Sequence, residues 1–208
     1  TFTGKLGTAT TTVANEKTFT AAASVVAGKT LDGDGTVAIT ALDATAAADL
    51  SNITAASVTA AVANNVTFTG TIGNAVVTVA SGKTFTSTAA KVTGETLNGC
   101  GTVAITALHS TAAADLSNIT ASSVTAAVDD DVTFTGTIGN AVVTVASGKT
   151  FTATAAKVNG ETLNGAGTVA ITALHSTAAA DLSNITATAV TAAVDDDVTF
   201  TGTIGNAV

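Results

Sequence analysis

The sequence predicts an all-β chain, a β-solenoid (parallel β-helix) built from 66-residue repeats. Three observations carry this reading. Thr67 to Val132 matches Thr133 to Val198 except at Ser87/Ala153, Thr93/Asn159, Cys100/Ala166, Ser122/Thr188 and Ser123/Ala189, and Thr1 to Val66 keeps the same register without a gap. Near-exact internal periodicity is the mark of stacked units, each burying its apolar face on the next. Inside a copy the period is two: Thr150-Phe151-Thr152-Ala153-Thr154 and Thr168-Val169-Ala170-Ile171-Thr172 put threonines on one side and apolar residues on the other. Such alternation with β-branched residues signals strands. The apolar side is made of Ala, Val, Ile and an occasional Phe, which suits a narrow coil with little interior room.

Each copy reads the same way along the chain. It opens on TFTG, a strand whose threonines share one face. IGNA then turns, and AVVTV is a strand. ASGK turns again into TFTST or TFTAT. The turn GET (GKT in the first copy) and the double-glycine turn NGCG or NGAG (DGDG in the first copy) precede the strand GTVAIT. HSTAAADL is a tight corner, LSNIT a repeated corner, and VTAAV the last strand. Gly and Asn punctuate these strands as turn residues. The count is six or seven strands per copy, grouped into about three unequal coils of roughly 22 residues. The organisation is residues 1–66, 67–132 and 133–198 as three repeats and 199–208 as the start of a fourth, in one continuous solenoid. A β-sandwich array of hairpins is the competing fold. The stop ten residues into a copy suggests a segment of a longer array or a subunit that stacks end to end. Inside the coils, Phe68, Phe134 and Phe200 are expected to form one ladder and Phe85 and Phe151 another. Val103, Ile105, Val169 and Ile171 point inward beside them.

Composition narrows the function classes. The chain has 208 residues, 46% of them hydrophobic and only 11% charged, so an ordered core is expected rather than disorder. Fifteen acidic residues against seven lysines and no arginine give a net charge of −8. That leaves no basic footprint for nucleic acid and no basic patch for anionic lipid. No apolar run is long enough for a spanning helix. The only histidines, His109 and His175, occupy equivalent slots where the first copy has Asp43. A catalytic cluster is unique by nature, and the sequence lacks paired cysteines and the HExxH, GxSxG and P-loop patterns. The chain therefore reads as non-enzymatic with no required cofactor. Cys100 alternates with Asp34 and Ala166 between glycines and reads as a tolerant turn position.

Two groups of residues invite a ligand reading. Asp129, Asp130, Asp131 and Asp195, Asp196, Asp197 form acidic knots, with Asp32 and Asp34 as a further pair. Clustered carboxylates suit Ca²⁺, which takes six to eight oxygens, although solvated turns that discourage edge pairing account for them equally. Threonine rows such as TFTGT and TFTAT resemble the hydroxyl lattice of repetitive ice-binding solenoids. Asp49, Asp115 and Asp181 precede LSNIT in every copy and suit an Asx turn, with Asn52, Asn118 and Asn184 beside them as an internal ladder. Asn-Ile-Thr also matches a glycosylation acceptor, as does Asn65-Val66-Thr67.

The phrase LNGAGTVAITALHSTAAADLSNITATAVTAAV resembles the repeats of very large bacterial surface and secreted β-strand repeat proteins: a GET turn, a GTVAIT strand, an AADLSNI corner and a VTA strand. The likeness runs the length of the chain. It implies an extracellular or cell-surface location and a role as adhesin stalk, filament or surface layer. The implied partner is the chain itself, or flanking repeats of a longer chain, and no catalytic residue is implied.

Overall fold

The computed structural model describes all residues, Thr1 to Val208. In chain order the strands are β1 (Thr11–Thr12), β2 (Thr18–Ala22), β3 (Leu31–Asp32), β4 (Thr36–Thr40), β5 (Ser57–Val62), β6 (Val66–Thr67), β7 (Val76–Val79), β8 (Thr84–Thr88), β9 (Leu97–Gly99), β10 (Thr102–Thr106), β11 (Ser123–Val128), β12 (Val132–Thr133), β13 (Val142–Val145), β14 (Thr150–Thr154), β15 (Leu163–Gly165), β16 (Thr168–Thr172) and β17 (Ala189–Ala192). The only helices are single turns: α1 (Ala23–Val26), α2 (Ala89–Val92), α3 (Ala155–Val158), and 3₁₀ turns at Leu42–Ala44, Leu108–Ser110 and Leu174–Ser176. The strand pairs and isolated bridges are parallel, as in Thr18↔Thr36, Thr59↔Val76 and Leu97↔Ile119. Hairpins produce antiparallel pairs, so the hairpin sandwich is overturned in favour of an all-β parallel fold. The chain divides into two compact units, Thr1–Ala104 with Asn118–Ser123, and Ile105–Ser117 with Val124–Val208.

In the first unit β2, β4, β5, β7 and β9 form one parallel sheet in that order. Thr18 lies opposite Thr36, Thr36 opposite Ser57, Thr59 opposite Val76 and Val77 opposite Leu97. Each step across the sheet thus advances the chain by about 19 residues, the span that the hydrogen bonds of Thr84 with Asn65 and of Ser87 with Phe68 also bridge. The inward positions stack in rows. Phe19, Val37 and Val58 form one, and Ala21, Ile39, Ala60, Val77 and Leu97 another. Every member of the second row is at most 2% exposed. The outward positions carry hydroxyl side chains, as in Thr18, Thr36 and Ser57. Alternation thus does what the sequence implied: one face of each strand is removed from water and the other stays wet. The sheet also crosses a repeat boundary, because β5 belongs to the first copy and β7 to the second.

Copies of one strand do not share a sheet. β8 repeats β2 one copy later, yet β2 joins the sheet that contains β7 and β9, whereas β8 pairs with β6 in another. Likewise β1 and β3, the first-copy equivalents of β7 and β9, pair with each other apart from β2. The second unit has the same division: β13 and β15 pair with β11, and β14 pairs with β12 and β16.

The expected phenylalanine ladders are replaced by pairs within a copy. Ring centroids are 5.4 Å apart for Phe68 and Phe85 and 5.3 Å for Phe134 and Phe151, with interplanar angles of 32° and 33°, a separation at which aromatic rings attract. All four rings are buried, as are Val103, Ile105, Val169 and Ile171. Phe200 is only half-buried. The three α turns were not legible in the sequence. AAKV follows a strand directly, and its two inward residues, Ala89 and Val92, stay buried while the backbone turns the corner.

Each 3₁₀ turn is entered through a left-handed alanine. Ala41, Ala107 and Ala173 all have φ of 52°. An L-residue with a Cβ pays about 1 kcal/mol or more for that conformation. Ser110 and Ser176 donate to the carbonyls of Ala107 and Ala173 at 2.8 and 2.7 Å and hold the turn. Replacing Ala107 or Ala173 with glycine relieves the steric term while loosening the unfolded chain, so the net expectation is a gain of up to about 1 kcal/mol, read from urea unfolding.

Candidate functional site: the acidic corner

The acidic knot lies in the loop between β11 and β12, and its three carboxylates go to three different protein groups. Asp129 Oδ1 lies 2.6 Å from Nδ1 of His109, on the 3₁₀ turn. That nitrogen is buried, and the approach is close without the alignment of a hydrogen bond, so it is a close polar contact. Asp130 accepts from Lys149 Nζ at 2.9 Å. Asp131 accepts from the Thr150 backbone N–H at 2.7 Å and so satisfies the first donor of β14. The next copy repeats the first contact, His175 against Asp195 at 2.5 Å. In the first copy the carboxylate sits on the other side of the contact and its partners are neutral. Asp43 occupies the histidine slot and accepts from Ala63 N at 2.8 Å and Asn64 Nδ2 at 2.9 Å, while Asn65 takes the place of Asp131 and accepts from Thr84 N at 2.9 Å.

These contacts leave their mark on the titration. The Lys149 hydrogen bond holds Asp130 below the ordinary carboxylate range, and the same bond raises Lys149. For Asp43, burial pushes upward, but the bonds from Asn64 and the Ala63 backbone outweigh it and the result is lowered. Asp49, Asp115 and Asp181 are lowered by the serine two residues on. The backbone bonds Ser51 N to Asp49 Oδ1, Ser117 N to Asp115 Oδ1 and Ser183 N to Asp181 Oδ1, each 3.0 Å, are the Asx turns expected at this corner. A carboxylate lowered by folding adds stability above its unfolded pKa, and that stability disappears as pH falls through the folded value.

Glu95 and Glu161 behave oppositely, since burial alone raises them. Their charged forms oppose folding at neutral pH, and that opposition fades as pH falls through the raised value. Glu95→Gln and Glu161→Gln are therefore expected to raise the unfolding free energy at pH 7, by less than about 1 kcal/mol each after solvent screening, and with it the melting temperature, and to leave both unchanged at pH 3. Melting curves at the two pH values check the sign.

No three His, Cys, Asp or Glu side chains converge as a metal would require. Asp32 is half-buried, with an unpartnered buried Oδ1, and Asp34 beside it is exposed. The later copies carry asparagine in the Asp32 slot, and Asn98 and Asn164 there accept from Thr78 and Thr144 at 2.9 Å. Cys100 is exposed between two glycines that cannot vary. A Cβ on Gly99 would stand 2.3 Å from the Val79 carbonyl oxygen, and one on Gly101 2.4 Å from that of Ala80. The flanks are therefore fixed while the middle residue points to water and is free to be Asp, Cys or Ala.

One concavity of about 470 Å³ is lined by Thr3, Lys5, Leu6, Ser24 and Lys29, and Lys29 is tied to the Gly7 carbonyl at 2.7 Å. Two shallow grooves recur one copy apart, one along Asn65, Thr67, Thr84 and Thr86 and one along Asp131, Thr133, Thr150 and Thr152. The expected internal asparagine ladder is absent: Asn52, Asn118 and Asn184 are all exposed. The Asp49-type turn places them at the surface, and Ile53, Ile119 and Ile185 go inside instead. No helix is long and apolar enough to cross a membrane. No protein-family model, curated protein or solved structure matches the chain.

Proposed function

We propose that this chain is a non-enzymatic structural repeat protein of the cell exterior, a parallel β-solenoid whose stacked coils build a stalk, filament or surface layer. The observation that carries the reading is the pairing of β5 with β7 across a repeat boundary. It uses the same parallel register as the pairs inside a repeat, so a further copy adds further rungs with no new kind of interface. The corner contacts serve the same end. Asp130 with Lys149, and Asp131 with the Thr150 N–H, clip positions 19 apart in sequence, about one strand-to-strand step. The extracellular location rests on the resemblance to bacterial surface repeats.

With steps of about 19 residues, each copy makes about three and a half coils rather than three. The assignment of β2 and β8 to different sheets supports this half-integer count. At about 4.8 Å per rung each copy adds about 17 Å of length. Electron microscopy of chains carrying one, two and three additional copies tests the proposal. Particles that lengthen by about 17 Å per copy at constant width are expected. Particles that broaden, or that do not lengthen, would refute it.

An adhesive or ice-binding use of the threonine face is favoured by the two recurring threonine grooves. Against it, the row Thr152, Ala170, Thr191 is interrupted by alanine. Thermal hysteresis in the presence of ice decides this second use. A calcium role has a simple test too. Since Asp129, Asp130 and Asp131 are each engaged by a separate protein group, chelator is expected to leave the melting temperature unchanged.

A further inference from the structure

We propose that Asn52, Asn118 and Asn184 are acceptors for N-linked glycosyl transfer, and that Asn65, the fourth residue in an Asn-x-Thr sequence, is not. The three sites are built alike. In each, the asparagine and the threonine two residues on are exposed and the isoleucine between them is buried. The backbone is pinned on both sides. Leu31 N donates to the Asn52 carbonyl at 3.3 Å, and Thr54 N donates to the Leu31 carbonyl at 2.8 Å. Leu97 with Asn118 and Thr120, and Leu163 with Asn184 and Thr186, repeat those distances. The buried isoleucine fixes the rotation of the segment, so amide and hydroxyl are both presented to solvent. An acceptor needs these two groups in this spacing.

The asparagine side chains at these corners make no hydrogen bond within the protein. Asp49, Asp115 and Asp181 satisfy the neighbouring backbone, through Ser51, Ser117 and Ser183, so the asparagines are not needed to hold the turn. Asn65 differs on this point. Its Oδ1 accepts the Thr84 N–H at 2.9 Å, the bond that Asp131 makes to Thr150 in the next copy. Asn65 and Thr67 are exposed around a buried Val66, as at the other three sites, so the difference lies in this bond, which fixes the Asn65 carboxamide against β8 and keeps it from reorienting.

The donor is a sugar activated as a diphosphate ester, on a nucleoside or a polyprenol. The asparagine Nδ2 forms a bond to the anomeric carbon. The bond from that carbon to the diphosphate oxygen breaks, the diphosphate leaves with the electron pair, and an amide proton passes to a base of the transferase. No redox change is involved.

The test incubates the folded chain with UDP-glucose and a soluble transferase that modifies Asn-x-Thr, followed by intact mass and peptide mapping. Up to three hexoses are expected, on the peptides containing Asn52, Asn118 and Asn184, and none on Asn65. Thr120→Ala is expected to remove one hexose and Thr120→Ser to retain it. Both substitutions are at a solvent-facing position. Absence of transfer to the three corners, or equal transfer to Asn65, would overturn the proposal. Because the readout is mass on a folded chain, it is independent of whether added copies lengthen the particle.

Discussion

Phe151→Ala is expected to lower the unfolding free energy by about 3–5 kcal/mol, the range for deleting a fully buried aromatic side chain. The ring has no solvent exposure. It packs against Phe134 at 5.3 Å, and its strand is hydrogen-bonded on both sides, with Phe151 opposite Val132 in β12 and Val169 in β16. Strand spacing is set by backbone hydrogen bonds, so the walls have little freedom to collapse into the space the ring leaves. The cavity term therefore adds to the loss of apolar burial. Urea unfolding followed by circular dichroism measures the difference. Phe200→Ala is the control. That ring is half-buried and lacks a stacked partner, so its loss is expected to cost well under half as much.

The second large effect is steric. Gly136 lies so close to the preceding pass of the chain that an added Cβ would stand 2.0 Å from the Ala114 carbonyl oxygen. That oxygen already accepts from Thr137 N at 2.8 Å, and Gly136 N donates to Ala112 at 3.1 Å. A methyl group here has to separate hydrogen-bonded stretches of backbone, since no flexible side chain is available to yield. Gly136→Ala is expected to cost about 3 kcal/mol or more, at the upper end for overpacking. Gly148→Ala distinguishes this effect from backbone conformation. Gly148 has φ of +72° and nothing within 4 Å of the added Cβ, so only the left-handed penalty of about 1 kcal/mol remains. Equal losses at the two sites would contradict the close approach.

Much of this fold was legible because the alternation is written plainly. In Thr150-Phe151-Thr152-Ala153-Thr154, Phe151 and Ala153 are buried and the threonines are not, as period two requires. The glycines of NGCG could be read as a turn, and their invariance has a steric cause in the Val79 and Ala80 carbonyls. The pitch was not legible. The repeat length states how often the sequence returns and says nothing of how many turns it makes meanwhile. That number depends on corner lengths, and the single turns of AAKV and ALHS shorten the path in ways that propensity does not reveal.

The same gap explains the phenylalanines. Equivalent residues were expected to stack on one another, but Phe85 packs on Phe68 of the same copy, because neighbours in space are one strand-to-strand step apart rather than one repeat apart. At the acidic corner the sequence displayed the carboxylates and concealed their partners. His109, Lys149 and the Thr150 N–H lie a whole strand-to-strand step away in either direction, and only the register brings them together. The Asx turns were legible because an aspartate and the N–H two residues on are local.

If strands stack in parallel at steps of about 19 residues, equivalent residues of adjacent copies face opposite ways. Spin labels placed on outward threonines test this directly, by pulsed and continuous-wave electron paramagnetic resonance. Thr20 and Thr59 lie two rungs apart in one sheet, so labels there are expected at about 10 Å, with strong dipolar broadening. Thr20 and Thr86 are equivalent residues in different sheets. Labels on them are expected at about 30 Å, from three and a half rungs of rise and the thickness of two packed sheets. A Thr20–Thr86 distance of about 14 Å, three rungs along one face, would contradict the account and mean that each copy makes a whole number of turns.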